Sequence, residues 1–481
     1  MLLTLVFAYL IITIAIGLIA GRRVKNSADF AIAGRHLPLA MIVTTTFATW
    51  FGSETVLGIP AKFVGSGLNG VIEDPFGAGF CLIFVGVFFA AKLYKLDLLT
   101  ISDYFRERFG KRVEILCSLI IMLSYLGWVS AQVTALGLVF NLLSNGAISI
   151  EFGMVIGVSS ILAYTLFGGM WSVAVTDFMQ MIILVIGLSV IAVFAANQAG
   201  GADKVIALAS SRDMFRFLPE PSFKDIIFFF AAAITMMLGS IPQQDVFQRV
   251  MSAKNEYAAT RGPLIGGICY ILFAFVPMFL VVSSLIISPE QTAQLLKDDP
   301  QKVLPTLIMQ HMPFVMQVLF FGALLSAIKS SASATLLAPS VTFVENIWRQ
   351  WNPKMDDAHE LKTMRITVLS FSVLILIYAI QAQGTSIYEM VSGAYQVTLV
   401  GAFVPLVFGL YWTRATTQGA LAAIGMGIGV WLVCLASPIG TWLPAQLAGV
   451  IAALLGMVVG SLMPQQYIQN AHASHHDLIH D

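Results

Sequence analysis

The sequence predicts an all-α polytopic membrane protein of about thirteen transmembrane helices, built as a five-plus-five inverted-repeat core with two discontinuous helices. Three observations carry that expectation. The 481 residues are 58% hydrophobic and 11% charged, where a soluble globular chain has roughly 25% charged residues and covers its surface with them. Apolar runs of about 20 residues, each long enough to cross a ~30 Å hydrocarbon layer as a helix, recur from end to end. Two of these runs are interrupted in mid-span by Gly, Pro and polar residues. A formal net charge of zero gives no basis for nucleic-acid binding.

Taken in order, the runs place spans near 2–20, 38–63, 70–92, 113–143, 149–168, 172–196, 224–249, 262–288, 312–347, 363–383, 387–412, 416–437 and 443–463. The first has no basic residue before it and ends at Gly21-Arg22-Arg23, so it reads as a retained span with its N-terminus outside. Lys and Arg then concentrate on one set of loops, Arg249 among them, which makes that side cytoplasmic by the positive-inside rule and leaves the C-terminus inside. The organisation expected is a single transmembrane transporter domain over residues 1–463. Its inverted-repeat core covers about 38–412, and the helices 1–20, 416–437 and 443–463 are accessory. Residues 464–481, with His472, His475, His476 and His480, form a flexible cytoplasmic tail with no completed transition-metal ligand set. Cys81, Cys117, Cys269 and Cys434 all fall in apolar runs and read as packing residues.

The interruptions are Thr44 to Thr55 and Leu238 to Asp245. A helix that unwinds within a bilayer frees amides and carbonyls, which are tolerated only where they line a polar cavity, so each break is a candidate ion or solute site. The breaks lie five spans apart and therefore cross in opposite directions, as an inverted repeat requires. Ionisable residues inside apolar runs are Glu54, Lys62, Glu73, Asp74, Asp177, Asp245 and Lys329. Each costs about 2.5–3.5 kcal/mol at mid-bilayer, so a function or a partner is expected for each. Lys62, Glu73 and Asp245 are expected near an interface. Lys329 sits mid-span among Ser326, Ser330, Ser331 and Ser333 and either needs a carboxylate or several oxygens around it or gives up its proton and becomes neutral. Trp50 at the first break and Trp128 near Gln132 are candidate faces for a flat or cationic solute.

The string from Tyr164 to Gln180, with Gly168-Gly169-Met170-Trp171-Ser172 and Thr176-Asp177-Phe178-Met179-Gln180, resembles the signature of the sodium:solute symporter family, and the likeness covers nearly the whole chain. Ala48-Thr49-Trp50 and the run from Ile241 to Arg249 are most similar to the high-affinity choline transporter branch. The resemblance implies a sodium ion held by carbonyls of Ala48, Phe51 and Ala327 and hydroxyls of Ser330 and Ser331, with Asp177 on the inner ion-release path. The chain departs from the family at Lys329, where relatives carry an aliphatic residue or Met. It departs again at Ser333-Ala334, which implies no second sodium site of that type, and at Gln243 and Ala78, where the choline branch has aromatic residues. Lys329 either points sideways and pairs with Asp177 or another carboxylate, or replaces sodium with its own ammonium.

The function expected is cation-coupled symport of a small polar organic solute across the cytoplasmic membrane, with sodium or a proton as coupling ion and no other cofactor. Candidate solute contacts are Trp50, Ser53, Glu54, Asp74, Trp128, Gln132, Gln243 and Gln244, suited to an amine or amino acid. The alternatives are a proton-coupled or sodium-independent carrier in which Lys329 stands in for the ion, and a solute sensor derived from a transporter. Partners expected are the solute and the lipid bilayer, and enzymatic activity is not expected, since no nucleophile elbow, nucleotide loop or His-x-x-x-His pair occurs in the apolar runs.

Overall fold

A computed structural model describes residues 1–465, so the histidine-rich stretch from His472 to His480 lies outside the described residues. Ten helices among them are long and apolar enough to cross a membrane, and an eleventh crossing is a helix pair bent by 45°. In chain order the main elements begin with α1 (Leu2–Gly21), α2 (Leu39–Trp50), α3 (Ile59–Gly70), α4 (Ile72–Lys95) and the short α5 (Ile101–Phe109). They continue with α6 (Lys111–Leu143), α7 (Ile150–Gln198), α8 (Phe223–Gly239), α9 (Gln244–Ser252) and α10 (Glu256–Ile287). The last are α11 (Phe314–Trp351), α12 (Asp357–Gln381), α13 (Ile387–Tyr411), α14 (Thr417–Ala436) and α15 (Ala445–Leu462).

Residues 149–168 and 172–196, expected as two spans, form one helical run of 49 residues with a non-helical hinge at Gly169. A straight helix of that length would measure about 75 Å, more than twice a hydrocarbon core, so the hinge is what lets both halves lie in one membrane. Gly169 has φ +44°, and a Cβ there would meet the Phe30 carbonyl oxygen at 2.3 Å, so only glycine fits.

Both interruptions expected from the sequence are present. α2 ends where Phe51 leaves helical geometry (φ −88°, ψ 69°), and the chain re-enters a helix through the wide turn Glu54–Gly58. α8 and α9 are separated by residues 240–243, which hold Pro242 and Gln243. The start of the first broken helix and the end of the second are joined by backbone: Leu37 N–H donates to Ser252 O and Lys254 N–H to Leu37 O, both at 2.9 Å. The broken helices are buried together with α6 and most of α11, whereas α1, α12 and α14 present rows of exposed Leu, Ile and Val that suit lipid.

Candidate functional site

Consecutive residues on a helix project about 100° apart, and on α11 this rotation separates three roles. Ser331 Oγ donates to the Thr49 carbonyl at the first break, 2.6 Å away. Ser330 Oγ donates to Asp177 Oδ1, also at 2.6 Å, and Thr45 Oγ1 donates to the other Asp177 oxygen. Lys329 points elsewhere, towards α1. Its Nζ donates to Thr13 Oγ1 at 2.6 Å and lies 5.4 Å from the Tyr164 ring centre and 5.9 Å from that of Tyr9. No carboxylate lies within ion-pair distance of Lys329 among the described residues, which corrects the expectation of pairing with Asp177: a hydroxyl and two aromatic faces surround the ammonium instead.

The break itself is crowded with oxygen. A Cβ at Gly52 would fall 2.5 Å from Glu54 Oε2, 2.6 Å from Ser331 Oγ and 2.9 Å from Gln132 Oε1. Gly52 thus leaves room for three polar side chains from three helices to converge on one point. Phe51 and Ala48 flank it, both buried, as is Ala327 one helical turn before Ser331. Ser333 Oγ turns back onto its own helix and donates to Ser330 O.

Glu54 is held by donors from α6: Trp128 Nε1 at 3.1 Å and Gln132 Nε2 at 2.6 Å. Gln132 in turn accepts from the Ser53 amide through Oε1 at 2.9 Å, so a single side chain fixes both the broken backbone and the carboxylate. Trp50, Trp128 and Tyr395 form an aromatic cluster with ring centres 5.4–6.0 Å apart, and Tyr125 stacks beneath Trp128 at 6.1 Å. Trp50 and Trp128 are each 1% exposed, so the cluster is closed over itself. Asp74 accepts from the Tyr270 hydroxyl, which also contacts Thr55 Oγ1 at 2.9 Å, while Asp74 Oδ2 and the Tyr395 hydroxyl are buried without partners among the described residues. Neither Glu54 nor Asp74 has a basic partner among the described residues.

Gln243 Nε2 donates to Ser124 Oγ on α6 at 2.8 Å, beside the second break. Gln244 leaves the group: its Oε1 accepts from the Ile101 amide at 2.8 Å and its Nε2 reaches Leu99 O, which ties α9 to the start of α5. Asp245 and Glu73, expected near an interface, are buried, at 0% and 6% exposed, because their helices tuck into the bundle; Asp245 Oδ1 accepts from the Tyr125 hydroxyl at 2.6 Å, while Asp245 Oδ2 and Glu73 Oε1 have no partner among the described residues. Lys62 alone of those three is exposed, with its ammonium over the Tyr388 ring. Arg249, expected in a cytoplasmic loop, is 1% exposed and spans the two breaks, with Nη2 donating to Thr49 Oγ1 at 2.6 Å and Nη1 to Asp245 O at 2.7 Å. Its position about one and a half turns into α9 puts it inside the bundle, and only its spacing of four from Asp245 hinted at this.

Two discontinuous helices meeting over buried oxygens and a closed aromatic cluster define a polytopic secondary transporter. The sodium:solute symporter family model matches residues 30–429, and the chain belongs to that family. It is a multi-pass, cation-coupled solute symporter. The high-affinity choline transporter 1 of Caenorhabditis elegans is 26% identical over 450 residues, covering 88% of this chain and 76% of that one. The high-affinity proline transporter PutP of Bacillus subtilis (strain 168) is 28% identical over 463 residues, covering 94% and 95%. Among solved structures, a substrate-bound outward-open Na+-coupled sialic acid symporter superposes with a TM-score of 0.82 at 21% identity, covering 96% and 97%, which shows the shared fold.

Proposed function

We propose that the chain couples sodium entry to uptake of a small organic solute bearing a cationic nitrogen, through thirteen crossings of the cytoplasmic membrane with the N-terminus outside and the C-terminus inside. The thirteen crossings count the halves of α7 separately and α2 with α3 as one. The carrying observation is Glu54, a buried carboxylate without a basic partner among the described residues, presented beside Trp50, Trp128 and Tyr395 one step from the break where Ser331 meets Thr49 O. A positive nitrogen replaces water on such a carboxylate and stacks on aromatic faces. Choline and proline, the solutes in the names of the two relatives above, each carry a cationic nitrogen.

Sodium is held by the carbonyls of Ala48, Phe51 and Ala327 and the hydroxyls of Ser330 and Ser331, five oxygens suited to a hard monovalent ion. Asp177, already bonded to Ser330, receives the ion as it leaves. Sodium is preferred to a Lys329 surrogate because the ammonium is turned to Thr13 on α1, away from the face that carries Ser331. Solute contacts are Trp50, Ser53, Glu54, Asp74, Trp128, Gln132 and Gln243.

The test is uptake of amines, amino acids and small acids into vesicles with sodium and pH gradients imposed separately. Sodium-driven accumulation of amines or amino acids, with counterflow, is expected. Binding without flux would instead identify a sensor, and uptake driven by pH alone would overturn sodium coupling.

A further inference from the structure

The second broken helix is also held from outside the transport site, by the first turn of α5. Thr100 caps that helix: its Oγ1 accepts from the Asp103 amide at 3.1 Å, and Asp103 Oδ2 accepts from the Thr100 amide at 3.0 Å. Two carboxamides from different helices grip this turn. Gln244, the first residue of α9, takes the Ile101 amide through Oε1 and Leu99 O through Nε2. Asn346 on α11 takes the residues on either side of Ile101 and beyond. Its Oδ1 accepts from Thr100 Oγ1 at 2.8 Å, and its Nδ2 donates to Asp103 Oδ1 at 2.8 Å and to Glu114 Oε1 on α6 at 2.9 Å. Thr100, Ile101, Gln244 and Asn346 are each 0% exposed, so water does not compete for these bonds.

Asn346 reaches this point from the wide turn Phe343–Trp348, whose extra residue rotates the chain out of the ordinary helical register; such turns often mark functional positions. The rest of α5 belongs to the surrounding frame. Arg108 donates to Gly409 O on α13 at 3.1 Å and to Trp412 O just past it at 3.3 Å, and Arg106 faces both Asp103 and Glu114. α5 is thus bonded to α6, α11 and α13, and its tie to α9 runs through Gln244. The same end of the bundle carries the backbone links of Leu37, and Tyr94, at the end of α4, donates its hydroxyl to Ala253 O at 2.9 Å just past α9.

We infer that Asn346 is a positioning residue for transport. It sets the first turn of α5 where Gln244 can lock α9 to the frame, and the lock must open before α9 swings away from α6 and α11. This rests on the sodium-coupled cycle proposed above. A weakened lock lets the carrier open on this face with sodium aboard and no solute, so sodium passes alone. Asn346 touches neither the ion nor the solute, so its loss changes the rate of the step and not the affinity.

The test compares the full-length native protein with Asn346→Ala, Gln244→Ala and the double variant. In vesicles without solute, tracer sodium entry is expected to rise roughly tenfold in each single variant, the effect of one buried hydrogen bond, while its half-saturating sodium concentration stays within about twofold. The double variant should leak no more than about twofold above the singles, because both changes open one lock. Asn346→Asp keeps the size but sets a third carboxylate against Asp103 and Glu114, so it should leak at least as much as Asn346→Ala. A second arm, amide exchange in nanodiscs, needs no coupling ion. There Asn346→Ala should speed exchange at the Leu37 and Lys254 amides by about tenfold and leave the Leu68 and Asn69 amides at the opposite end unchanged. Gln383→Ala, which removes an exposed bond to Glu151, should alter neither arm. Equal acceleration at both ends marks general loosening, leaks that multiply to about a hundredfold in the double variant mark two separate braces, and a native leak in Asn346→Asp removes the need for the amide; each overturns the assignment. A native protein without sodium-driven uptake overturns the sodium reading instead, and the exchange arm still decides the lock.

Discussion

Lys329→Met puts the cation assignment to its most direct test, because the change removes the one positive charge on α11 beside the two serines while keeping an unbranched side chain only one atom shorter. Fold stability should hold. Thr13 loses a donor but keeps its own bond to Leu10 O at 2.9 Å, and replacing a buried charge by an apolar isostere is commonly neutral or stabilising. The effect on sodium follows from distance. Helix rotation turns the ammonium away from the Ser331 face, which sets the two charges about 10 Å apart, and at an effective dielectric of about 20 their repulsion is about 1.7 kcal/mol. Relief of that repulsion lowers the half-saturating sodium concentration by up to roughly fifteenfold. The assay is solute uptake into vesicles titrated with sodium at fixed membrane potential. Native and variant proteins should both need sodium, the variant at lower concentration. If native uptake instead follows pH and ignores sodium, and the variant loses that response, the ammonium is the coupling ion and the reasoning fails.

Gly52→Ala forces a methyl within 2.6 Å of both Glu54 Oε2 and Ser331 Oγ, an overpacking cost of about 1–3 kcal/mol, so sodium affinity and solute affinity should fall together in binding assays. Glu54→Gln removes the charge and sets an amide against the Trp128 and Gln132 donors; apparent solute affinity should drop by roughly ten- to a hundredfold, about 1.5–3 kcal/mol, and an unchanged affinity would remove Glu54 from the site. Gln244→Ala strands the buried Ile101 amide and should lower the melting temperature while sparing solute affinity, which distinguishes a brace from a contact. Asp103 in α5 has its carboxyl pushed up to about 6, first by burial and then by Glu345. Its stability contribution is therefore full below the ordinary value of 3.8 and lost as pH rises through about 6, and Asp103→Asn should flatten that step in a thermal-melt series.

The crossings and both breaks were legible because hydropathy and Gly-Pro punctuation are local properties of the chain. Glu54, Trp128 and Gln132 were legible for a related reason: polar or amphipathic groups in an apolar run demand a use. Their partners were not. Tyr270 reaches Asp74 across 196 positions and Arg249 reaches Thr49 across 200, and no pattern in one sequence records such meetings. Arg249 was misread because basic residues near a span end usually mark the cytoplasmic loop, while here α9 carries the residue back into the bundle. Lys329 shows how little separates readings: its direction depends on about 100° of helix rotation, and the Thr13 hydroxyl that receives it belongs to a helix expected to be merely accessory.

The pair of amide links between Leu37 and the segment 252–254 has a mechanical corollary. The opposite end is tied as well: Leu68 N–H donates to Met214 O at 2.8 Å and Asn69 N–H to Arg216 O at 3.0 Å, so the far end of the first broken helix is held to the segment that leads into the second. Opening the bundle at either end must therefore sever two backbone links. The closed bundle is latched at both faces, so deuterium should reach all four amides more slowly than others in the loops around them, and the pair that exchanges first marks the face that opens.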